Sequence, residues 1–122
     1  KRPLSRLSEG NYCMSKTSTE PTFTHEVKAR VPVDGGFQEE RFKATFRVVD
    51  PDEAAKFDMM SIDGSTGFLK RVVVRLDDIG DAEGKPLEWS DAVFDAVLRL
   101  PWARSALART YFMAVSGAKA GN

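Results

Sequence analysis

Strict alternation marks the first half of the chain. Phe23, His25, Val27, Ala29 and Val31 alternate with Thr24, Glu26, Lys28 and Arg30, the period-two pattern of a strand with one wet face. After Val33-Asp34-Gly35-Gly36, Phe42, Ala44, Phe46 and Val48 alternate with Arg41, Lys43, Thr45 and Arg47. The Asp-Gly-Gly step is a turn, because glycine accepts positive φ at no steric cost, and the two runs predict a β-hairpin. An isolated hairpin is marginal in water. Its Phe/Val face therefore needs a cover from the segments that follow.

Those segments read as helices. Asp50 can cap, Pro51 suits a first helical position and Glu53 stands where a capping-box carboxylate belongs, which predicts a helix from Pro51 to about Met60. Ile62-Asp63-Gly64-Ser65 should break it, with Gly64 as the stop. Phe68, Leu69, Val72, Val73 and Leu76 then follow helical spacing, although Val72-Val73-Val74 is a β-branched run that favours strand. The spacing predicts a helix from Gly67 to about Leu76, then an extended piece around Asp78 and Ile79. Asp81-Ala82-Glu83-Gly84 is an acidic turn, and Pro86-Leu87-Glu88-Trp89 a short return strand. Ser90 caps the next helix, whose Val93, Phe94, Val97 and Leu98 form one face. Pro101 ends that helix and opens the last, over residues 101–116, which Gly117 closes.

The expected architecture is α+β: an N-terminal β-hairpin packed on a small C-terminal bundle of about four helices, with a short acidic turn between helices. One domain should occupy residues 23–117, with a disordered polar arm over 1–22 and a flexible tail over 118–122. Met14-Ser15-Lys16 reads as a natural start. Residues 1–13, Cys13 included, are thus expected to precede the native chain and to stand outside the fold.

Composition narrows the function more than it identifies it. The chain has 122 residues, enough for one domain with a real core. Eighteen Lys+Arg balance eighteen Asp+Glu, which removes the long-range argument for nucleic acid or an anionic membrane. Zero net charge also lowers colloidal repulsion, which suits a standing partner or a homo-oligomer. One cysteine and one histidine allow neither an internal disulfide nor a multi-His metal site, a usage that fits a reducing cytoplasm. No apolar run approaches the ~20 residues that span a bilayer.

No motif carries chemistry. The acidic stretch from Asp77 fails the EF-hand spacing, with Ile79 at position 3 and Ala82 where the loop needs Gly. The glycine clusters match neither a Walker nor a dinucleotide fingerprint. His25 has no Ser or Cys at a recognisable catalytic spacing. Lys70, Arg71 and Arg75 read as a solvated face or as ion pairs to Asp77, Asp91 and Asp95. We therefore expect no catalytic, metal or cofactor-binding residue, and a chain that is not an enzyme.

The aromatic residues are the better clue. Trp102, Tyr111, Phe112 and Met113, with Trp89 and Phe94 nearby, exceed what one short helix buries against one neighbour. The plain account is a core. The functional account is an apolar strip, centred on Tyr111–Val115, that receives a partner helix. On that account Trp102, Leu107, Tyr111, Phe112 and Val115 are the candidate binding residues.

The order of elements over residues 37–117 also carries a resemblance. FKATFRVVD is followed by PDEAAKFDMM, by FL-x-R-VVV from Phe68 to Val74, and by D-x-x-G-x-P-L at Asp81, Gly84, Pro86 and Leu87. A helix ending L-x-x-P at Leu98–Pro101 and a closing helix R-x-x-L-x-x-x-Y from Arg104 through Tyr111 to Ser116-Gly117 complete it. This arrangement resembles the tail assembly chaperones of long-tailed bacteriophages and prophages. It departs from many relatives at Arg75-Leu76, where they carry a Gly-Trp pair. The resemblance implies a small protein of the bacterial host cytoplasm that binds the tape-measure protein, keeps it soluble and helps tail-tube protein polymerise around it. The alternative expectation is a structural tail or head component, a tube terminator or adaptor, whose hairpin joins a ring by strand addition.

Overall fold

The structure, a computed structural model, describes residues 20–117. Along the chain lie β1 (Thr22–Val33), β2 (Gly36–Arg47), α1 (Pro51–Ala54), α2 (Ile62–Val72), β3 (Val73–Asp77), α3 (Asp91–Leu98) and α4 (Pro101–Val115). The expected α+β architecture is present: an open antiparallel sheet in the order β1-β2-β3, with four helices. The readings made for residues 1–19 and 118–122 lie outside the described residues. Glu20, Pro21 and Thr22 correct the proposed arm: Glu20 is ion-paired to Arg71, the Pro21 carbonyl accepts the Val48 N–H at 2.8 Å, and Thr22 opens β1.

β1 and β2 pair without a break from Thr22↔Arg47 to Val33↔Gly36. Gly35 supplies the positive φ, +81°, that their two-residue loop requires. Val27, Ala29, Phe42, Ala44 and Phe46 face the core. The opposite face is polar: the Thr24 and Thr45 hydroxyls meet at 2.8 Å, and Arg41 reaches Glu39 at 2.7 Å and Glu26 at 3.8 Å. The Val48-to-Pro21 bond sets the ladder's phase, so odd-numbered β1 residues bond to β2 and even-numbered ones turn outward. Lys28 agrees, since its carbonyl accepts from Arg109 Nη2 on α4 at 3.1 Å.

Three local expectations are corrected. α1 stops at Ala54 and does not reach Met60. Phe57 turns inward, edge-on to Phe68 with ring centroids 5.7 Å apart, and the Asp58 carboxylate accepts the Met60 N–H at 3.0 Å, so the chain bends there. Gly64 is not a helix stop but lies in the first turn of α2, where its N–H donates to the capping Ser61 hydroxyl at 2.8 Å. It is required for close approach, because a Cβ there would lie 2.0 Å from the Asp58 carbonyl oxygen.

The third correction concerns the valine run. α2 ends at Val72, and Val73–Asp77 form β3 against Lys43–Phe46. β-branched side chains fit the pleated surface better than another helical turn. Val73 and Leu76 are both buried although three apart, because the register shifts between Thr45 and Phe46. That irregularity imitates helical spacing. Likewise, Pro86–Trp89 form no strand; a bridge between Gly80 and Pro86 and the Leu87 N–H to Ile79 carbonyl bond, 2.8 Å, close the acidic turn.

α3 and α4 follow expectation, with Ser90 capping α3 through the Val93 N–H at 3.1 Å. α4 packs on β1 and against α2 and α3. Its buried stripe is Ala103, Ala106, Leu107 and Tyr111. Tyr111 lies 5.7 Å from Phe46 and 5.3 Å from Phe68 by ring centroid, and its hydroxyl accepts the buried Val49 N–H at 3.2 Å.

Tyr111→Phe keeps the ring and orphans that N–H, so thermal or urea melts should show a loss of about 1–2 kcal/mol. Gly64→Ala should cost at least about 1–3 kcal/mol, the range of an overpacked core site, because the obstacle is backbone rather than a mobile side chain. An unchanged melting temperature for Gly64→Ala would mean that the α1–α2 turn does not need this close approach.

Candidate functional site

The structure divides the expected strip. Leu107 is fully buried and Tyr111 only 2% exposed, so neither is available to a partner. Both lie on the stripe that α4 presents to the sheet, where the spacing of three and four residues places them with Ala103 and Ala106. Trp102 is half-buried against the core. Phe112 and Val115 remain open, at 40% and 41% exposure. Phe112 follows Tyr111 by about 100° around the helix, so it leaves the core as its neighbour enters it.

Phe112 nevertheless stays in place. Its ring stacks on buried Phe68 with centroids 5.2 Å apart and planes within 7°, and stands edge-on to Tyr111 at 5.2 Å. Phe68 in turn touches Phe57. The segment between Phe57 and Phe68 carries Met60 and Ile62, which are 95% and 66% exposed. Asp58 and Ser61 use their polar atoms on that segment's own backbone, which leaves the two apolar side chains directed outward. Sequence reasoning missed Met60 and Ile62 because it placed Met60 in a helix. The usable signal was Asp58 and Ser61, residues that favour turns and caps over helix interiors.

A groove of about 180 Å³ lies elsewhere, where the sheet meets the α3–α4 junction. Val31, Phe42, Ile79, Leu100 and Trp102 line it, with Glu40 and Asp78 at its polar rim. It is smaller than the sites that hold cofactors or drug-sized molecules and suits one or two side chains.

The polar clusters serve the fold. Arg71 on α2 binds the Glu53 carboxylate of α1 through Nε and Nη2, and that of Glu20 through Nη1 and Nη2. Those hydrogen bonds hold the Glu20 carboxyl below its ordinary value and raise the guanidinium further. Asp81 accepts the Glu83 and Lys85 N–H groups at 2.8 and 2.9 Å, so the acidic turn uses its carboxylate internally. Lys70 pairs with Asp95 at 3.2 Å and Arg75 with Asp77 at 2.8 Å. His25 Nδ1 lies 2.9 Å from the Glu26 carbonyl. Among the described residues no group of three or more His, Cys, Asp or Glu is placed to hold a metal ion, and no helix is long and apolar enough to cross a membrane.

Comparison with protein-family models, with curated proteins and with solved structures finds no match.

Because the folded Glu20 value is lowered, its contact with Arg71 stabilises the fold above the ordinary Glu value near about 4.3 and fades as pH falls through the lower, folded value. Arg71→Met should therefore lower the melting temperature at pH 7 and flatten its decline below about pH 4.5. Parallel acid limbs for the two proteins would remove Glu20–Arg71 from the pH response.

Proposed function

We propose that this chain is a tail assembly chaperone of a long-tailed phage or prophage. In this reading it is a non-enzymatic protein of the host cytoplasm that binds the tape-measure protein, keeps it soluble and promotes tail-tube assembly around it. The observation that supports it best is Phe112, an exposed ring stacked flat on a core ring. A side chain already held in one orientation loses little freedom when a partner covers it. Phe112 and Val115 are one turn of α4 apart, and Met60 and Ile62 project from the segment tied to Phe57 and Phe68. Together they offer apolar contacts of the kind that receive the stripe of an amphipathic helix, and tape-measure proteins are largely helical. The order of elements over residues 37–117 points the same way. Holding a helix in this manner draws only on binding free energy and mass action.

A second reading, a ring-forming tail component, draws on the hairpin, whose turn end runs past the last residue paired to β3.

Co-expression with the tape-measure protein encoded nearby tests both. The expected result is a soluble complex that co-purifies. Recovery should fall at least about tenfold in Phe112→Asp combined with Met60→Ser, a loss of about 1.4 kcal/mol, while circular dichroism still shows the folded chain at the assay temperature, its melting temperature lowered by the lost stack on Phe68. Precipitation of the tape measure alongside the wild-type chain, with discrete rings formed by the chain alone, would support the ring component instead.

A further inference from the structure

β1 runs beside β2 as far as Gly36, but β3 pairs with β2 only from Lys43 to Phe46. Beyond Asp77 the chain turns at Asp78, φ +63°, and leaves the sheet. Phe37, Glu39 and Arg41 stand opposite Pro32, Arg30 and Lys28, in the pairs that do not exchange backbone hydrogen bonds. Their N–H and C=O groups therefore point to the side that β3 no longer covers. Among the described residues no strand pairs with them there.

The two edges of the hairpin differ. On β1, Arg109 takes the outward Lys28 carbonyl, and Pro32 has no N–H to offer on the same row. Such features block strand addition. The β2 edge carries neither device, and the apolar groove reaches it: Phe42 and Arg41 belong to the groove's lining, with Ile79, Leu100 and Trp102 across from them.

Charge selects the occupant. On the groove side, Glu40 is hydrogen-bonded only to the Gln38 amide, at 2.9 Å, among the described residues. Among the described residues the only cation within 4 Å of Asp78 is Lys43, at 3.9 Å. Arg41 is engaged by Glu39 and Glu26 on the opposite face. A second β2 is a poor fit. A two-fold centred on Glu39 opposes two like charges, and one centred on Glu40 puts the copy's Phe37 where Asp77 already faces Lys43.

We propose that the β2 edge from Phe37 to Arg41 receives an extended segment of a partner protein, antiparallel to β2, with a large apolar side chain in the groove and basic residues two positions either side. Main-chain bonds supply affinity in this mode and alternate side chains supply selectivity. The apolar residue lies opposite Glu40, and its basic neighbours fall beside Asp78 and diagonal to Glu40. This surface is independent of Phe112.

The probe is a labelled peptide, Lys-Val-Leu-Val-Lys-Thr, whose Val-Leu-Val lies opposite Arg41, Glu40 and Glu39 and which ends short of Lys43, where Asp77 is already paired; it is titrated into the full chain by fluorescence anisotropy. Saturable binding is expected. It should weaken at least about tenfold when both valines are N-methylated, since those N–H groups face β2, and when both lysines are replaced by glutamate. Glu39→Pro should weaken it equally, because proline there removes only an outward donor and leaves the β1–β2 ladder intact. Leu100→Ser should do the same by opening the groove wall, at a helix N-cap position that serine suits. Phe112→Asp should bind the peptide as wild type does, so failure here and failure of the chaperone reading are separable. Three results would overturn the proposal: no saturable binding up to about 1 mM, undiminished binding of the N-methylated peptide, or self-association of the chain that Glu39→Pro abolishes. The last would assign this edge to a second copy.

Discussion

The Tyr111 ring sits where strand, helix and loop must meet. Its edges rest on Phe46 of β2 and Phe68 of α2, while its hydroxyl takes the N–H of Val49, just past the end of β2. That bond links residues 62 apart in sequence, and it fixes both the rotation and the height of α4 over the sheet. The rest of α4 follows from that position. Ala103 and Ala106 face inward, where their small side chains suit a close approach to neighbouring elements, Arg109 reaches the outer edge of β1, and Phe112 comes to rest against Phe68 at the surface. Trp102, at the other end of the same helix, closes one side of the groove. Both candidate surfaces are thus displayed by a helix whose orientation a buried phenol sets.

A second tie acts on the chain's other half. Arg71 gathers Glu53 and Glu20, residues 18 and 51 positions away, so that α1, α2 and the approach to β1 share one guanidinium. The planar fork of arginine suits two carboxylates at once, which a lysine would serve only as a point charge. The pairs are partly exposed, so their role is geometric more than energetic. They hold the short α1 turn against α2 and thereby position the segment bearing Met60 and Ile62.

Much of this was legible in the residues themselves. The two alternating runs and the Asp-Gly-Gly step led to the hairpin, and Ser90 and Pro101 to the starts of α3 and α4, because period, cap and turn chemistry act locally and agreed with one another. The errors arose where a distant partner decided the outcome. Val73 and Leu76 look helical only because a bulge opposite Thr45 and Phe46 buries positions three apart. Gly64 looks like a stop until Ser61 is seen capping a helix that begins before it. For the site, Phe112, Val115 and Trp102 were recognisable as apolar surplus, but nothing in α4 alone could tell that Tyr111 turns inward and Phe112 outward. The free stretch of β2 was invisible from sequence, since it depends on where β3 leaves the sheet.

The unequal edges of the hairpin have a consequence for assembly. A strand can join at Phe37–Arg41, yet the opposite margin, occupied by Arg109 and interrupted by Pro32, gives a further strand nothing to continue on. The hairpin itself therefore takes a strand on one side only. It can end a sheet built from a guest but cannot bridge two guests into one, a useful property in a protein proposed to keep another chain from aggregating.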